Sequence, residues 1–105
     1  MITLVYKDQT LEDGKPIDLG MVRKELKSAI IEAKNTTPDT IENIKIKSNM
    51  PDEAYRFVAP KAIPPGQMGR IQVIIDPDKL WASGLRQVAL LIAYDEVRDL
   101  ILGTP

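Results

Sequence analysis

The chain has neither cysteine nor histidine among its 105 residues. The first absence excludes disulfides, thiolate metal sites and a cysteine nucleophile. The second removes the commonest general base and the commonest transition-metal ligand, and with them serine–histidine and cysteine–histidine catalysis within this chain. Aromatic residues make up 5% of the sequence, too few to build a stacking platform for bases or sugars. A surplus of charge is also missing: 14 Lys plus Arg stand against 15 Asp plus Glu. Proteins that bind nucleic acid draw most of their affinity from a basic excess, so no nucleic-acid partner is expected. No apolar run approaches the roughly 20 residues that cross a bilayer. The opening residues, Met1 to Asp8, carry neither the basic region nor the apolar stretch of a signal peptide. The expectation is no membrane contact, and a location in the cytoplasm or in a virion assembled there. Beginning at Met1, the chain reads as a complete protein with both ends held in place.

What the sequence does have is punctuation. Asp13-Gly14-Lys15-Pro16, Asn35-Thr36-Thr37-Pro38, Asn49-Met50-Pro51-Asp52, Pro64-Pro65-Gly66 and Asp76-Pro77-Asp78 all read as turns. Between them lie short aliphatic segments that alternate with period two, the mark of strands with one buried face. Ile2, Leu4 and Tyr6 share a face. Ile17-Asp18-Leu19 forms a short extended piece. Ala29, Ile31 and Ala33 line one side of the segment Ser28 to Asn35. Ile44 and Ile46 alternate with Asn43, Lys45 and Lys47, Tyr55 and Phe57 flank Arg56, and Ile71, Val73 and Ile75 follow. The last clear segment runs from Gln87 to Tyr94, with Val88, Leu90, Ile92 and Tyr94 on one face and Ala89, Leu91 and Ala93 on the other. A strand apolar on both faces is central in its sheet or covered by something else. Met21 to Ala33 is rejected as a helix because its apolar stripe is poor, and Gly20 is read as a bend between two strands. About seven short antiparallel strands in two sheets predict a single all-β sandwich of the immunoglobulin-like kind, residues 1–105, with no internal repeat.

The order of motifs resembles the Hydin-type (ASH-like) immunoglobulin-like domains. Ile17-Asp18-Leu19-Gly20-Met21-Val22 is similar to that group's opening. Ile31-Glu32-Ala33-Lys34-Asn35-Thr36 fits its strand ending in asparagine, and Ile41-Glu42-Asn43-Ile44-Lys45-Ile46 fits the strand after it. Ile63-Pro64-Pro65-Gly66-Gln67-Met68-Gly69-Arg70-Ile71-Gln72-Val73 resembles the proline–proline–glycine entry to the next strand, and Gly84 with Val88 to Tyr94 matches the closing loop and strand. The likeness covers residues 17–97, and similar domains occur in bacteriophage virion proteins. It implies a scaffold or targeting module without catalysis and leaves the partner open, because fold does not determine function. In physical terms Gly20 supplies a backbone angle or a close approach that a β-carbon forbids. Pro64-Pro65-Gly66 suits a rigid entry and a tight turn. Asn35 can bond neighbouring backbone and end a strand. All five are read as architectural.

Few residues point to chemistry. Asp76-Pro77-Asp78 with Asp95-Glu96 could offer oxygen ligands to calcium, but their spacing matches no calcium loop, and solvated turn acids are the plainer reading. No catalytic residue, metal or cofactor is expected. Arg23, Lys24 and Lys27 form a small basic cluster. Lys45 and Lys47 line one strand, where they keep it soluble by discouraging edge pairing or meet an acidic partner. The segment Lys79 to Leu85 reads as a loop. Its Trp81, the only tryptophan, is read first as a plug in the open end of the sandwich; the alternative is an exposed anchor, tryptophan being enriched among interface hot spots. Tyr55 and Phe57 are assigned to the core. Residues 98–105 form a tail whose Leu100, Ile101 and Leu102 are worth roughly 1.5–3 kcal/mol each if buried. They close the sandwich as an edge strand or dock on a neighbour. Trp81, Leu100, Ile101 and Leu102 are therefore the candidate partner-binding residues. The function expected is a non-enzymatic structural or interaction subunit, homo- or hetero-oligomeric, in the form of a bacteriophage virion accessory protein bound to capsid or tail proteins. A cytosolic adaptor or targeting module is the alternative, followed by a carbohydrate- or envelope-binding module.

Overall fold

A computed structural model describes residues 2–97. Nine strands make two antiparallel sheets that pack face to face. In chain order they are β1 (Ile2–Tyr6), β2 (Gln9–Leu11), β3 (Ile17–Met21), β4 (Ser28–Asn35), β5 (Thr40–Ser48), β6 (Tyr55–Val58), β7 (Ala62–Ile63), β8 (Met68–Ile75) and β9 (Gln87–Val97), with a 3-10 turn at Asp52–Ala54 and a helix α1 at Pro77–Ser83 between β8 and β9. One sheet has the order β2-β1-β4-β8-β6 and the other β3-β9-β5-β7. The all-β sandwich expected from alternation is therefore the fold.

Alternation places the core. Ile2 and Leu4, Ala29, Ile31 and Ala33, Ile71, Val73 and Ile75, and Val88, Leu90 and Ile92 all point between the sheets and join one buried cluster. Tyr6, Tyr55, Phe57 and Tyr94 pack against its margin, half-buried. β9 lies between β3 and β5, which accounts for its apolar outer row of Ala89, Leu91 and Ala93, all half-buried.

Two bulges correct the phase where period two fails. Ile41 and Ile44 are three residues apart, so a regular strand would send them to opposite faces. The pairing of β5 with β9 shifts between Glu42 and Lys45, Asn43 takes a φ of 54°, and both isoleucines turn inward. In β3 the register shifts between Asp18 and Gly20, and Gly20 has a φ of 92°. This corrects the reading of Gly20 as a bend between strands: it forms a bulge inside β3, where a β-carbon would be strained. The bulge keeps Leu19 and Val22 inside and turns Met21 out.

Two strands were not visible in the sequence. β2 pairs with β1 through a two-residue turn in which Lys7 and Asp8 both have positive φ, 50° and 63°. Such turns favour Asn-Gly, so Lys-Asp gave no hairpin signal. β7, two residues long, pairs only with Ile41 and Glu42. Beyond that pairing the far half of β5 is an open edge, and Lys45 and Lys47 stand along it, as the anti-pairing reading requires. Residues 22–27 contain no helix, as expected; Val22 and Leu26 from that loop are buried in the core.

Candidate functional site

The sandwich has two ends with different chemistry. One gathers the end of β4, the starts of β5 and β8 and the end of β9. The other gathers the start of β4, the ends of β3, β5 and β8, helix α1 and the start of β9.

Asn35 organises the first end. It is fully buried, and its amide nitrogen donates to the carbonyls of Asp39 and Ile63, each at 2.7 Å. Its side-chain oxygen accepts from the Thr37 backbone N–H at 2.9 Å and the Thr37 hydroxyl at 2.6 Å. Its backbone closes the ring with the proline turn: the Gly66 N–H donates to the Asn35 carbonyl at 2.8 Å, and the Asn35 N–H to the Gln67 carbonyl at 2.9 Å. The Gln67 N–H donates to the Pro64 carbonyl at 3.1 Å, with Gly66 at a φ of 78°. Asn35, Pro64, Pro65 and Gly66 thus come together as one structural device, which uses all four bonding positions of the amide group. Beside it the Tyr94 hydroxyl donates to Asp13 Oδ2, which also accepts the Ile2 N–H at 3.3 Å. Burial, then the neighbouring Asp13 carboxylate, push the Tyr94 phenol above its ordinary range.

Helix α1 builds the second end, and it overturns two expectations. Asp76-Pro77-Asp78 is a helix start rather than a turn, and Lys79 to Leu85 is mostly helix rather than loop. Asp76 Oδ1 accepts from the N–H groups of Asp78 and Lys79 at 3.1 and 3.5 Å, Pro77 occupies the first turn, and Gly84 ends the helix at a φ of 82° with its N–H on the Trp81 carbonyl. Those signals were present in the sequence: an aspartate cap, proline after it and glycine seven residues on. The Asp76 N–H also donates to the Ala54 carbonyl at 2.8 Å, which fixes the helix to the 3-10 turn.

The helix places the tryptophan outside the core. Leu80 is fully buried and plugs the end of the core together with Val22, Leu26, Met50 and Ala54. Adjacent residues on a helix face about 100° apart, so Trp81 turns away from the core. It is 73% exposed, which corrects the plug reading. The Gly20 bulge puts Met21, 63% exposed, beside it. Met21, Val22, Trp81, Gly84, Leu85 and Arg86 line a groove of about 440 Å³. A second depression, which shares Val22 and Trp81 with the groove, is lined by Val22, Arg23, Lys24, Pro77, Asp78 and Trp81. The rim therefore holds three cations and one carboxylate. The Arg23 guanidinium donates to the Met21 carbonyl at 3.3 Å, and among the described residues none of the three cations is in an ion pair. Asp18 accepts the Gly20 N–H at 2.8 Å and the Gln87 amide at 3.0 Å; the first of these bonds, then the second, lowers its carboxyl below the usual range. These contacts pin the bulge that presents Met21.

The sequence had named Trp81, Arg23 and Lys24 for separate reasons, and the fold brings them together, while Gly20 forms the bulge that presents Met21. Lys27 is not part of the lining. Met21, Leu85 and Arg86 were missed, since nothing local marks residues that converge only through the pairing of β3 with β9. The calcium candidates are taken apart: Asp76 caps α1 at one end, whereas Asp95 lies at the other and accepts from Asn43 at 2.8 Å. Among the described residues no cluster of three or more metal-ligating side chains occurs, and no helix is long and apolar enough to cross a membrane. Leu100, Ile101 and Leu102 lie outside the described residues, as does Met1. No family model, curated protein or solved structure matches the chain.

Proposed function

We propose that this protein is a non-enzymatic interaction module, a subunit of a larger assembly, that grips a protein partner at the Trp81 end of its sandwich. One observation carries the reading: a solitary tryptophan, held on a capped helix and turned out of the core, stands with Met21 over a groove beside Arg23, Lys24 and Arg86, none of them in an ion pair among the described residues. Leaving two large apolar side chains in water costs solubility without helping the core, which Leu80 already closes. An aromatic anchor in an apolar groove with a charged rim is the composition of an interface centre. A rigid scaffold presenting such a group loses little side-chain entropy on binding.

Within this class we carry forward a bacteriophage-type virion accessory protein, bound to capsid or tail proteins. It rests on the sequence: a small domain with no catalytic set, and a motif order that resembles Hydin-type domains, similar immunoglobulin-like domains being found in bacteriophage virion proteins. The test is to titrate the purified chain with the proteins encoded beside its gene and to follow Trp81 fluorescence, which no other tryptophan obscures. A blue shift on binding, lost with Trp81→Ser, is the expected result. Binding that is unchanged by Trp81→Ser, or the absence of structural-protein genes beside it, overturns the assignment.

A further inference from the structure

We propose that the groove at Trp81 receives the apolar tail segment Leu100-Ile101-Leu102 of a second copy of this chain, so that copies join head to tail. The inference rests on the reading of the Trp81 end as a binding site, and it names the occupant.

Reach decides that the contact is between copies. The groove lies at the start of β9: Met21 pairs with Gln87, and the Val22 N–H donates to the Arg86 carbonyl at 2.8 Å. The tail leaves from the other end of the same strand, after Val97, which pairs with Thr40. β9 is 11 residues long, about 33 Å at a rise of roughly 3.3 Å per residue. Leu102 follows Val97 by five residues, at most about 18 Å of extended chain. The segment cannot reach the groove of its own molecule, but its attachment point, Val97, lies at the opposite end of β9, where a second copy's groove can meet it.

Chemistry matches the two partners. Three consecutive aliphatics supply the side chains that an apolar groove around Trp81, Met21 and Leu85 would bury. Charge is complementary as well. The groove offers Arg86, and the depression that shares Trp81 with it offers Arg23 and Lys24 against Asp78. The segment leading into the aliphatics offers Asp95, Glu96 and Asp99 against Arg98. Opposite signs of this kind orient a docking segment and speed its capture. The donor segment is attached at the end of the subunit opposite the acceptor groove, so the contact is heterologous and builds a ring or an open filament rather than a two-fold dimer.

Two variants test it in combination. Trp81→Ser removes the acceptor and keeps the tail; Leu100→Ser, Ile101→Ser and Leu102→Ser together remove the donor and keep the groove. In sedimentation velocity the wild-type chain should grow beyond a dimer as concentration rises, with a blue shift of its tryptophan emission. Each variant alone should stay monomeric, its self-association weakened by about thirtyfold or more, as expected for loss of a hot-spot contact. Mixed, the two variants should form a one-to-one complex that grows no further. The Trp81→Ser copy contains no tryptophan, so the shift in the mixture reports only the groove of the other copy. A wild-type chain that stays monomeric up to millimolar concentration, or a mixture that does not pair, overturns the proposal. So does emission of the tail variant that moves with anionic phosphatidylserine vesicles alone, which would make the groove a lipid site. If the tail variant still binds a neighbouring-gene protein through Trp81, the tail proposal fails while the reading as a protein-binding module stands.

Discussion

The two ends of this sandwich are closed by opposite means. At the Asn35 end a buried amide is satisfied by four hydrogen bonds, two given and two received. At the Trp81 end the closure is apolar: Leu80, Val22, Leu26, Met50 and Ala54 fill the opening, held by a short helix whose cap is exposed. A polar lock is specific but costly to disturb, because a buried group that loses its partner keeps its desolvation cost. An apolar plug is indifferent to direction, and it leaves its outer surface free to carry a second apolar layer. The end finished with side-chain packing carries Trp81 and Met21 outward.

The largest effect should come from breaking the polar lock. Asn35→Ala strands the Ile63 carbonyl and the Thr37 donors in a dry interior, and at about 1–3 kcal/mol per unsatisfied group a loss of roughly 4 kcal/mol is expected in chemical denaturation. A cost below about 1 kcal/mol would show that water replaces the amide and that this end is not closed. Leu80→Ala at the other end should cost roughly 3 kcal/mol, the usual range for an aliphatic cavity. It should also lower affinity at the groove, because the helix that aims Trp81 loses its anchor.

Tyr94 sharpens the contrast through pH. Its folded pKa lies above the unfolded value near 10. The folded state therefore holds the proton more tightly, and the stability this provides is complete below about pH 10 and declines as pH rises past it. Tyr94→Phe should flatten that decline in urea titrations across the alkaline range; an identical slope in both proteins would remove Tyr94 from the account. The smallest effect on stability is expected from Trp81→Ser. A side chain outside the core should change unfolding free energy by less than about 0.5 kcal/mol, even as it abolishes association. Marked destabilisation by Trp81→Ser would return that residue to a packing role and take the binding site with it.

Particular residues show how far the sequence could be read. The rows Ala29-Ile31-Ala33 and Ile71-Val73-Ile75 placed themselves, since a strand has only two faces. Ile41 and Ile44 could not be phased from the sequence, because a bulge adds a residue that no periodicity announces. The hairpin of β1 and β2 was hidden for a similar reason: Lys7-Asp8 adopts a turn that its composition does not advertise. Helix α1 was legible in its aspartate cap, proline and terminal glycine, but seven residues are too few for apolar periodicity to speak, and the turn reading of Asp-Pro-Asp prevailed. The proposed binding site was legible only as one tryptophan with two open roles.

Alternation of aliphatic and polar side chains determined, without further help, that this chain buries one face of each strand and forms a two-sheet β fold; the missing histidine and cysteine determined which chemistries it cannot perform. Only tertiary structure decided that Leu80 goes in and Trp81 comes out. That choice depends on how one short helix is pinned to the Ala54 carbonyl and on the bulge at Gly20 that sets Met21 beside it. Both are contacts between segments distant in sequence, and local pattern holds no information about which distant residue will stand across the gap.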